Sequence, residues 1–211
     1  HIPPQEEIPP LEQYISYLPI GQRLFAISLL AHQTYLKQEY AKAKGIVQGA
    51  FFMADGIYPI AMTYLNCVQA MCQINLKEQE EAIQSVDYAW QRAKLDGFME
   101  PFIEYHGLLQ GVLEVCIRKK EPDVYKKLMD GVIAFSRGWM KIHNPKMKKE
   151  VTDLLTPLEF SIAMLACRDW TNQEIAEHLG LSVNTVKHYV SGILEKLNID
   201  KRDKIKDFVN Q

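Results

Sequence analysis

Apolar residues recur at the three- and four-residue spacing of an α-helix, and no stretch between residues 11 and 142 alternates convincingly with the two-residue period of a strand. Helix-breaking pairs such as Asp55-Gly56 and Asp96-Gly97 separate the helical stretches. We therefore expect an all-helical region over residues 11–142, with helices of roughly 15–20 residues, after an extended proline-rich segment at residues 1–10. The helical spacing is clearest at Leu24, Ile27, Leu30 and Ala31, at Ala61, Tyr64, Leu65, Val68 and Met71, and at Leu108, Leu109, Val112, Leu113 and Cys116.

Part of this helical pattern repeats. Leu36-Lys37 recurs as Leu76-Lys77, and Asp55-Gly56 recurs as Asp96-Gly97, at a period of about 40 residues. A looser third copy is expected over residues 102–140. A period of this length, with two helices in each copy, indicates an array of stacked helical hairpins and resembles tetratricopeptide-like repeats. The alternative is an irregular bundle of helices.

The stretch from Thr171 to Leu197 has the spacing of a helix-turn-helix. The small Ala176 stands where the two helices would cross, and Gly180 stands at the turn, where a positive φ is least costly for glycine. The apolar positions that would join the two helices are Ile175, Leu179, Leu181 and Val186, with the largely apolar Tyr189 extending the series.

Capping signals mark where the helices of this region begin. Thr171 with Glu174 and Thr156 with Glu159 each have the spacing of a capping box, and Ser182 is suited to cap the second helix of the pair. A supporting helix is expected over about residues 157–168 and a last short helix over 202–209. The C-terminal quarter of the chain is therefore predicted to form four short helices.

This four-helix pattern resembles the DNA-binding domain of LuxR/GerE-type regulators. The residues that carry the resemblance are Leu155-Thr156, Glu159, Asn172, Glu174-Ile175-Ala176, Leu179, Ser182, Thr185-Val186-Lys187, Ile193, Lys196-Leu197 and Arg202. The family usually has His at the position of Tyr189 and often Asn at that of Gly192. The resemblance implies a LuxR-type domain at residues 153–211, after a basic linker at 143–152 and a helical-repeat sensor or interaction domain at 11–142.

The helical array followed by this module resembles the C-terminal part of MalT-like regulators. In that group, an NTPase domain precedes the helical repeats. The chain contains no G-x-x-x-x-G-K-[ST] phosphate-binding loop. It begins at His1 rather than Met, so we expect that sequence is missing upstream.

The second helix of the pair is expected to lie in the major groove of DNA. Its outward stripe, spaced i, i+3, i+4 and i+7, would face the bases, and Lys187 is the best candidate for a guanine or a phosphate. The predicted base-facing residues are Asn184, Lys187, His188 and Ser191. The resemblance implies that a second set contacts phosphate, namely Thr171, Asn172, Ser182, Thr185 and Lys196. It also implies a homodimer that pairs through Ile205, Phe208 and Val209, unless these three only close the core of the module.

Polar side chains also stand on otherwise apolar helices of the N-terminal region. Asn66, Gln69 and Gln73 form one such stripe, and His106 and Gln110 belong to another. These five residues are candidates for a groove that binds a small-molecule or protein effector. The alternative is that they form solvated outer faces.

The charge of the chain gives DNA binding no general support. The net charge is −2, and residues 151–211 contain 7 Lys+Arg against 9 Asp+Glu. Positive charge is concentrated just before the module, where it would attract phosphate. The residues concerned are Arg137, Lys141, Lys146, Lys148 and Lys149.

No motif points to catalysis. The sequence has no nucleophile elbow, metal-ligand cluster or glycine-rich phosphate loop, so we expect no enzyme activity, cofactor or metal. Cys67, Cys72, Cys116 and Cys167 form no CxxC pair and are expected to be buried thiols in a reducing compartment. No signal peptide or membrane span is evident, and a cytoplasmic location is expected.

Two functions follow from these patterns. The first is a sequence-specific transcription regulator whose helical N-terminal region senses a ligand or partner or oligomerises. The second is an adaptor in which the repeats bind proteins and the helix-turn-helix serves assembly. Duplex binding that weakens steeply with salt would favour the first.

Overall fold

The computed structural model describes residues 11–54, 57–143 and 154–209. The chain divides into two compact units, His1–Asp96 and Gly97–Gln211, which we call the first and the second unit. All regular elements in the described ranges are helical, which confirms the predicted fold class. None of the described helices combines the length and apolar character that a membrane span needs.

The described part of the first unit contains four helices of about the predicted length. α3 packs against α1, α2 and α4, and α1 packs against α2, so that the helices share one core. Leu24, Leu65, Met71 and Trp90 are among the fully buried side chains. The bounds are α1 Ile20–Leu36, α2 Tyr40–Met53, α3 Pro59–Asn75 and α4 Gln79–Ala93, with single 3-10 turns at Leu11–Gln13, Ile15–Tyr17 and Lys94–Asp96.

The two helical hairpins of the first unit share one turn geometry. Gln38, after α1, and Lys77, after α3, have φ values of 64° and 63°, in the left-handed region. The next residue of each turn donates its N–H to a carbonyl of the preceding helix, Glu39 to Thr34 and Glu78 to Gln73. The equivalent residues, 77 and 38, are 39 apart. The repeated sequence pattern pairs Lys37, not Gln38, with Lys77, so the turns recur one residue out of register with it. Asp55 and Gly56 lie outside the described residues, and the predicted repeat stays a prediction.

In its described residues, the second unit contains three helices followed by the four of the predicted C-terminal module. The first three are α5 Glu100–Glu104, α6 Val112–Cys116 and α7 Pro122–His143. The module contains α8 Pro157–Cys167, α9 Asn172–Leu179, α10 Val183–Leu197 and α11 Lys206–Val209, with a 3-10 turn at Arg202–Ile205 before α11. Its core forms where α8, α9 and α10 pack together.

The helix expected over residues 108–116 is only partly correct, because α6 begins at Val112. Gln110 and Gly111 have φ values of 49° and 88°, which a right-handed helix does not allow. This break lets the backbone approach the module closely. A Cβ atom on Gly111 would lie 2.3 Å from Leu179 Cδ2, so only glycine fits there without a shift.

The segment 97–121, which we call the docked segment, belongs with the module rather than with the first unit. α6 packs against α9. The predicted linker at 143–152 lies almost wholly outside the described residues, as do the side chains of Lys141, Lys146, Lys148 and Lys149. The predicted domain boundary therefore stays a prediction.

Candidate nucleic-acid interface

Local capping contacts fix the start of each helix in the module. Thr156 and Glu159 form a capping box, in which Thr156 N donates to Glu159 Oε2 at 2.8 Å and Glu159 N donates to Thr156 Oγ1 at 3.3 Å. Thr171 and Glu174 form the second box, with distances of 2.7 and 3.2 Å. Ser182 Oγ accepts from Thr185 N at 3.0 Å at the start of α10. All three predicted caps are confirmed.

The turn between α9 and α10 has the geometry expected of glycine. Gly180 has φ 61° and ψ 38°, and its N–H donates back into α9. Leu181 N donates to Ala176 O at 2.9 Å, which closes the turn. The turn directs the chain into Ser182, the N-cap of α10.

The second helix of the pair, α10, has one buried and one exposed face. Val186, Val190, Ile193 and Leu197 are buried in the module core. The four predicted base-facing residues, Asn184, Lys187, His188 and Ser191, are all exposed. Tyr189 is half-buried at the border between the faces. The side chains that could enter a groove of DNA are therefore free of the core.

The predicted phosphate contacts already have structural roles. Thr171 and Ser182 accept cap hydrogen bonds, and Thr185 Oγ1 lies 2.7 Å from Ser182 Oγ. Asn172 Oδ1 accepts from Arg202 Nη1 at 2.6 Å, while Arg202 Nη2 also donates to Trp170 O. The capping hydroxyls of Thr171 and Ser182 are exposed at the starts of α9 and α10.

Lys196 is held by an acidic partner inside the module. Its Nζ donates to both carboxylate oxygens of Glu159 at 2.7 Å. Burial on its own raises the pKa of Glu159, but Lys196 and the hydrogen bonds from Thr156 outweigh this effect and hold the pKa below its usual range. Glu159 therefore braces α8 against α10, as its capping signal suggested, and it occupies the ammonium group of Lys196.

The predicted dimer residues differ in exposure. Ile205 is fully buried in the module core and presents no surface to a partner. Phe208 is half-buried, and the side chain of Val209 lies outside the described residues. For Ile205, closing the core of the module is the role that the structure shows.

The polar stripe predicted in the first unit faces inward. Asn66 and Gln73 are buried, and Gln69 is half-buried. Asn66 Nδ2 donates to Met62 O at 2.8 Å, and Ser85 Oγ donates to Gln73 Oε1 at 2.9 Å. Gln73 is therefore turned toward α4, whereas Asn66 bonds back to the backbone of its own helix. An effector would reach them only after the helices part.

The other two groove candidates, His106 and Gln110, belong to the second unit and are also buried. His106 Nε2 lies 2.9 Å from Glu114 Oε1, which also accepts from Ser161 Oγ of α8 and Tyr125 Oη at 3.4 Å each. Burial on its own raises the pKa of Glu114, but its interaction with His106 and the hydrogen bonds from His106, from the backbone and from Tyr125 hold this pKa below its usual range. A buried polar cluster therefore ties the docked segment to α8.

A second polar tie was missed by sequence reasoning. His178, near the end of α9, is buried, and its Nε2 lies 2.9 Å from Gln110 O. Its ring also meets the edge of Trp170, with centroids 5.4 Å apart. In the sequence, His178 stands on the polar side of an amphipathic helix, and this position does not indicate a hydrogen-bond partner 68 residues away. Only the backbone break at Gln110 and Gly111 brings the two together.

The fold and the exposed face of α10 define a helix-turn-helix of the kind that binds DNA. Residues 153–209 match the family described as bacterial regulatory proteins, luxR family. These residues form a LuxR-type helix-turn-helix domain, which confirms the resemblance for this part of the chain.

Relatives extend the similarity beyond that domain. The chain is 32% identical over 114 residues to the response regulator protein VraR of Staphylococcus aureus strains Mu3 and COL and of Staphylococcus epidermidis. The alignment covers 51% of this chain and 54% of each relative, so the chain spans about half the length of the curated relatives it matches. No solved structure matches the chain. The resemblance to MalT-like regulators stays a prediction.

Proposed function

We propose that the chain is a sequence-specific transcription regulator that binds duplex DNA through α10. The observation that carries this proposal is the exposed polar face of α10 on a module that belongs to a family of regulatory proteins. Lys187 would donate to guanine O6 and N7 or to a phosphate, and Asn184, His188 and Ser191 would contact base edges beside it. The buried face of α10 holds the helix at a fixed angle for this contact.

The starts of α9 and α10 are proposed to hold the phosphate backbone. Thr171 with Asn172, and Ser182 with Thr185, stand at two helix N-termini, where backbone N–H groups and the helix dipole favour an anion. Contacts of this kind position the module without reading sequence. Lys196 can contact phosphate only if its ammonium group leaves the carboxylate of Glu159.

A homodimer is proposed because one module reads few base pairs and two related half-sites match a twofold pair. Phe208 and Val209 remain the candidates at the last helix, since Ile205 is in the core. The first unit is proposed to sense a ligand or partner or to oligomerise, and so to change DNA affinity. Phe52 and Ile57, each 93% exposed, give it apolar surface for such contacts.

The adaptor function is the second candidate. It is favoured by the charge of residues 151–211, which contain 7 Lys+Arg and 9 Asp+Glu. An adaptor of this kind would have no affinity for duplex DNA at low salt, whereas a DNA reader would bind and would weaken steeply as salt rises.

The proposal is tested by selection from a random duplex library, using the intact chain. We expect an enriched, near-palindromic motif that is lost in Lys187→Ala/His188→Ala. Lys127→Ala, which removes an exposed lysine of α7, is the control and should keep the motif. If neither the intact chain nor a forced dimer enriches any sequence at low salt, the DNA-binding proposal is refuted and the adaptor function takes its place.

A further inference from the structure

A basic run, Arg118-Lys119-Lys120, stands between α6 and α7. All three side chains are exposed. The run lies outside the residues that match the LuxR family, 153–209, and so belongs to the docked segment rather than to the family domain. Neither the buried polar cluster nor the recognition helix includes these three cations.

The fold places this run beside the turn of the helix-turn-helix. Lys119 Nζ lies 3.7 Å from the position that a Cβ atom on Gly180 would occupy. Gly180 precedes Ser182, the N-cap of α10, by two residues. An ammonium group from the docked segment is therefore next to the turn that leads into the start of the recognition helix.

The run is held in this place by contacts upstream of it and by hydrogen bonds of its own backbone. Upstream, the 2.9 Å contact of His178 with Gln110 O and the close approach of Gly111 to Leu179 fix the docked segment on α9. Within the run, Lys120 N and Glu121 N both donate to Ile117 O, at 3.1 and 2.8 Å. The backbone of the run is thus part of a hydrogen-bonded turn, while its side chains reach into solvent.

Charge complementarity identifies the partner. Residues 151–211 contain 7 Lys+Arg and 9 Asp+Glu, and one of those cations, Lys196, is already paired with Glu159. Duplex DNA carries about one negative charge per 1.7 Å of helix axis, and its neutralisation by cations supplies much of the binding free energy. A module with a net negative charge needs cations from elsewhere, and the run places one, Lys119, next to the turn.

We propose that Lys119, with Arg118 and Lys120 beside it, binds the phosphate backbone of DNA next to the turn, so that the DNA-binding surface extends beyond the LuxR-type domain into the docked segment. The proposal rests on the proposed function of the chain. It assigns these residues to positioning and affinity rather than to sequence reading.

The test is a titration of the full chain with fluorescent duplexes, followed by anisotropy between about 50 and 200 mM salt. One duplex carries the selected motif and the other a scrambled sequence. Lys119→Gln should weaken binding to both by about fivefold to tenfold, and the slope of log K against log salt should become shallower by about 0.9 for each lost contact. Lys119→Arg should bind like the unaltered chain, because it keeps the charge.

Lys127→Gln is the matched control, since it removes one exposed lysine from the same unit. The proposal is overturned if Lys119→Gln leaves affinity and salt slope unchanged, or if Lys127→Gln causes an equal loss. Loss of discrimination between the two duplexes in Lys119→Gln would also overturn it, because phosphate contacts carry no sequence information. If the unaltered chain binds neither duplex at low salt, the proposed function itself fails. If the unaltered chain binds DNA and Lys119→Gln binds it equally well, only this inference is refuted.

Discussion

Replacing Gly107 by alanine should destabilise the second unit through one identified contact. Gly107 lies in the docked segment, and a Cβ atom on it would be 2.6 Å from Phe160 Cε1 of α8. Carbon atoms in contact are normally about 3.5–4.0 Å apart, so the ring would have to retreat by about 1 Å. Forcing an extra methyl group into such a contact costs about 1–3 kcal/mol. We expect Gly107→Ala to lower the free energy of unfolding by this amount.

The measurement is hydrogen exchange of α8 and α9, followed by mass spectrometry under native conditions. Exchange of these helices reports the stability of the second unit separately from that of the first. Phe160 is half-buried, so Phe160→Leu should be tolerated, and in that background Gly107→Ala should cost less than about 1 kcal/mol.

Gly138→Ala is the matched control. Among the described residues, and apart from its chain neighbours and the backbone of its own helix, nothing lies within 4 Å of the position of its Cβ. Because Gly138 is inside α7, alanine there should be neutral or stabilising by up to about 1 kcal/mol. An equal cost of Gly107→Ala with and without the Phe160 ring would show that the contact with α8 is not what the methyl group disturbs.

Three further predictions concern the two units separately. Burial lowers the pKa of His32 from 6.5 to about 4, so the unfolded chain binds more protons than the folded chain between these pH values. The free energy of unfolding of the first unit, measured by urea denaturation, should therefore fall by on the order of 3 kcal/mol as the pH drops from 6.5 to about 4. His32→Leu should remove this pH dependence. Ser182→Ala should cost the second unit about 1 kcal/mol by removing the cap of α10, whereas Ser182→Asp should keep most of its stability in the same exchange measurement. The pKa of Glu159 is below its ordinary 4.5, so its contribution to the stability of the second unit is present above that value and is lost as the pH falls through the lowered pKa. Glu159→Gln should reduce this loss of stability at acid pH. An unchanged pH profile in the variant would contradict the role of Lys196.

Local signals in the sequence were sufficient for the helix-turn-helix. The capping boxes at Thr156 and Thr171, and the positive φ of Gly180, depend on residues within a few positions of each other. The exposed and buried faces of α10 follow from helical spacing alone. This part of the fold, and the exposure of the four predicted base-facing side chains, could therefore be predicted from sequence.

Non-local packing accounts for what the sequence did not show. The apolar spacing from Leu108 to Cys116 is helical, yet Gln110 and Gly111 leave the helix because close approach to Leu179 requires it. Polar stripes carry a similar ambiguity. A stripe such as that of Asn66 and Gln73 can face solvent, a groove or another helix. The hydrogen-bond partner that turns Gln73 inward is Ser85, which lies in α4 and is not evident from the sequence of α3.

The contact of the docked segment with the module bears on how such regulators can be recombined. A chimera that joined residues 153–211 to a different sensor would leave His178, Leu179 and Ser161 without the groups that now cover them, which belong to Gln110, Gly111 and Glu114. Uncovered, these side chains would form an exposed patch that favours non-specific association. The transferable unit in this chain therefore begins near Gly97, because a fusion made there keeps the docked segment that covers these side chains.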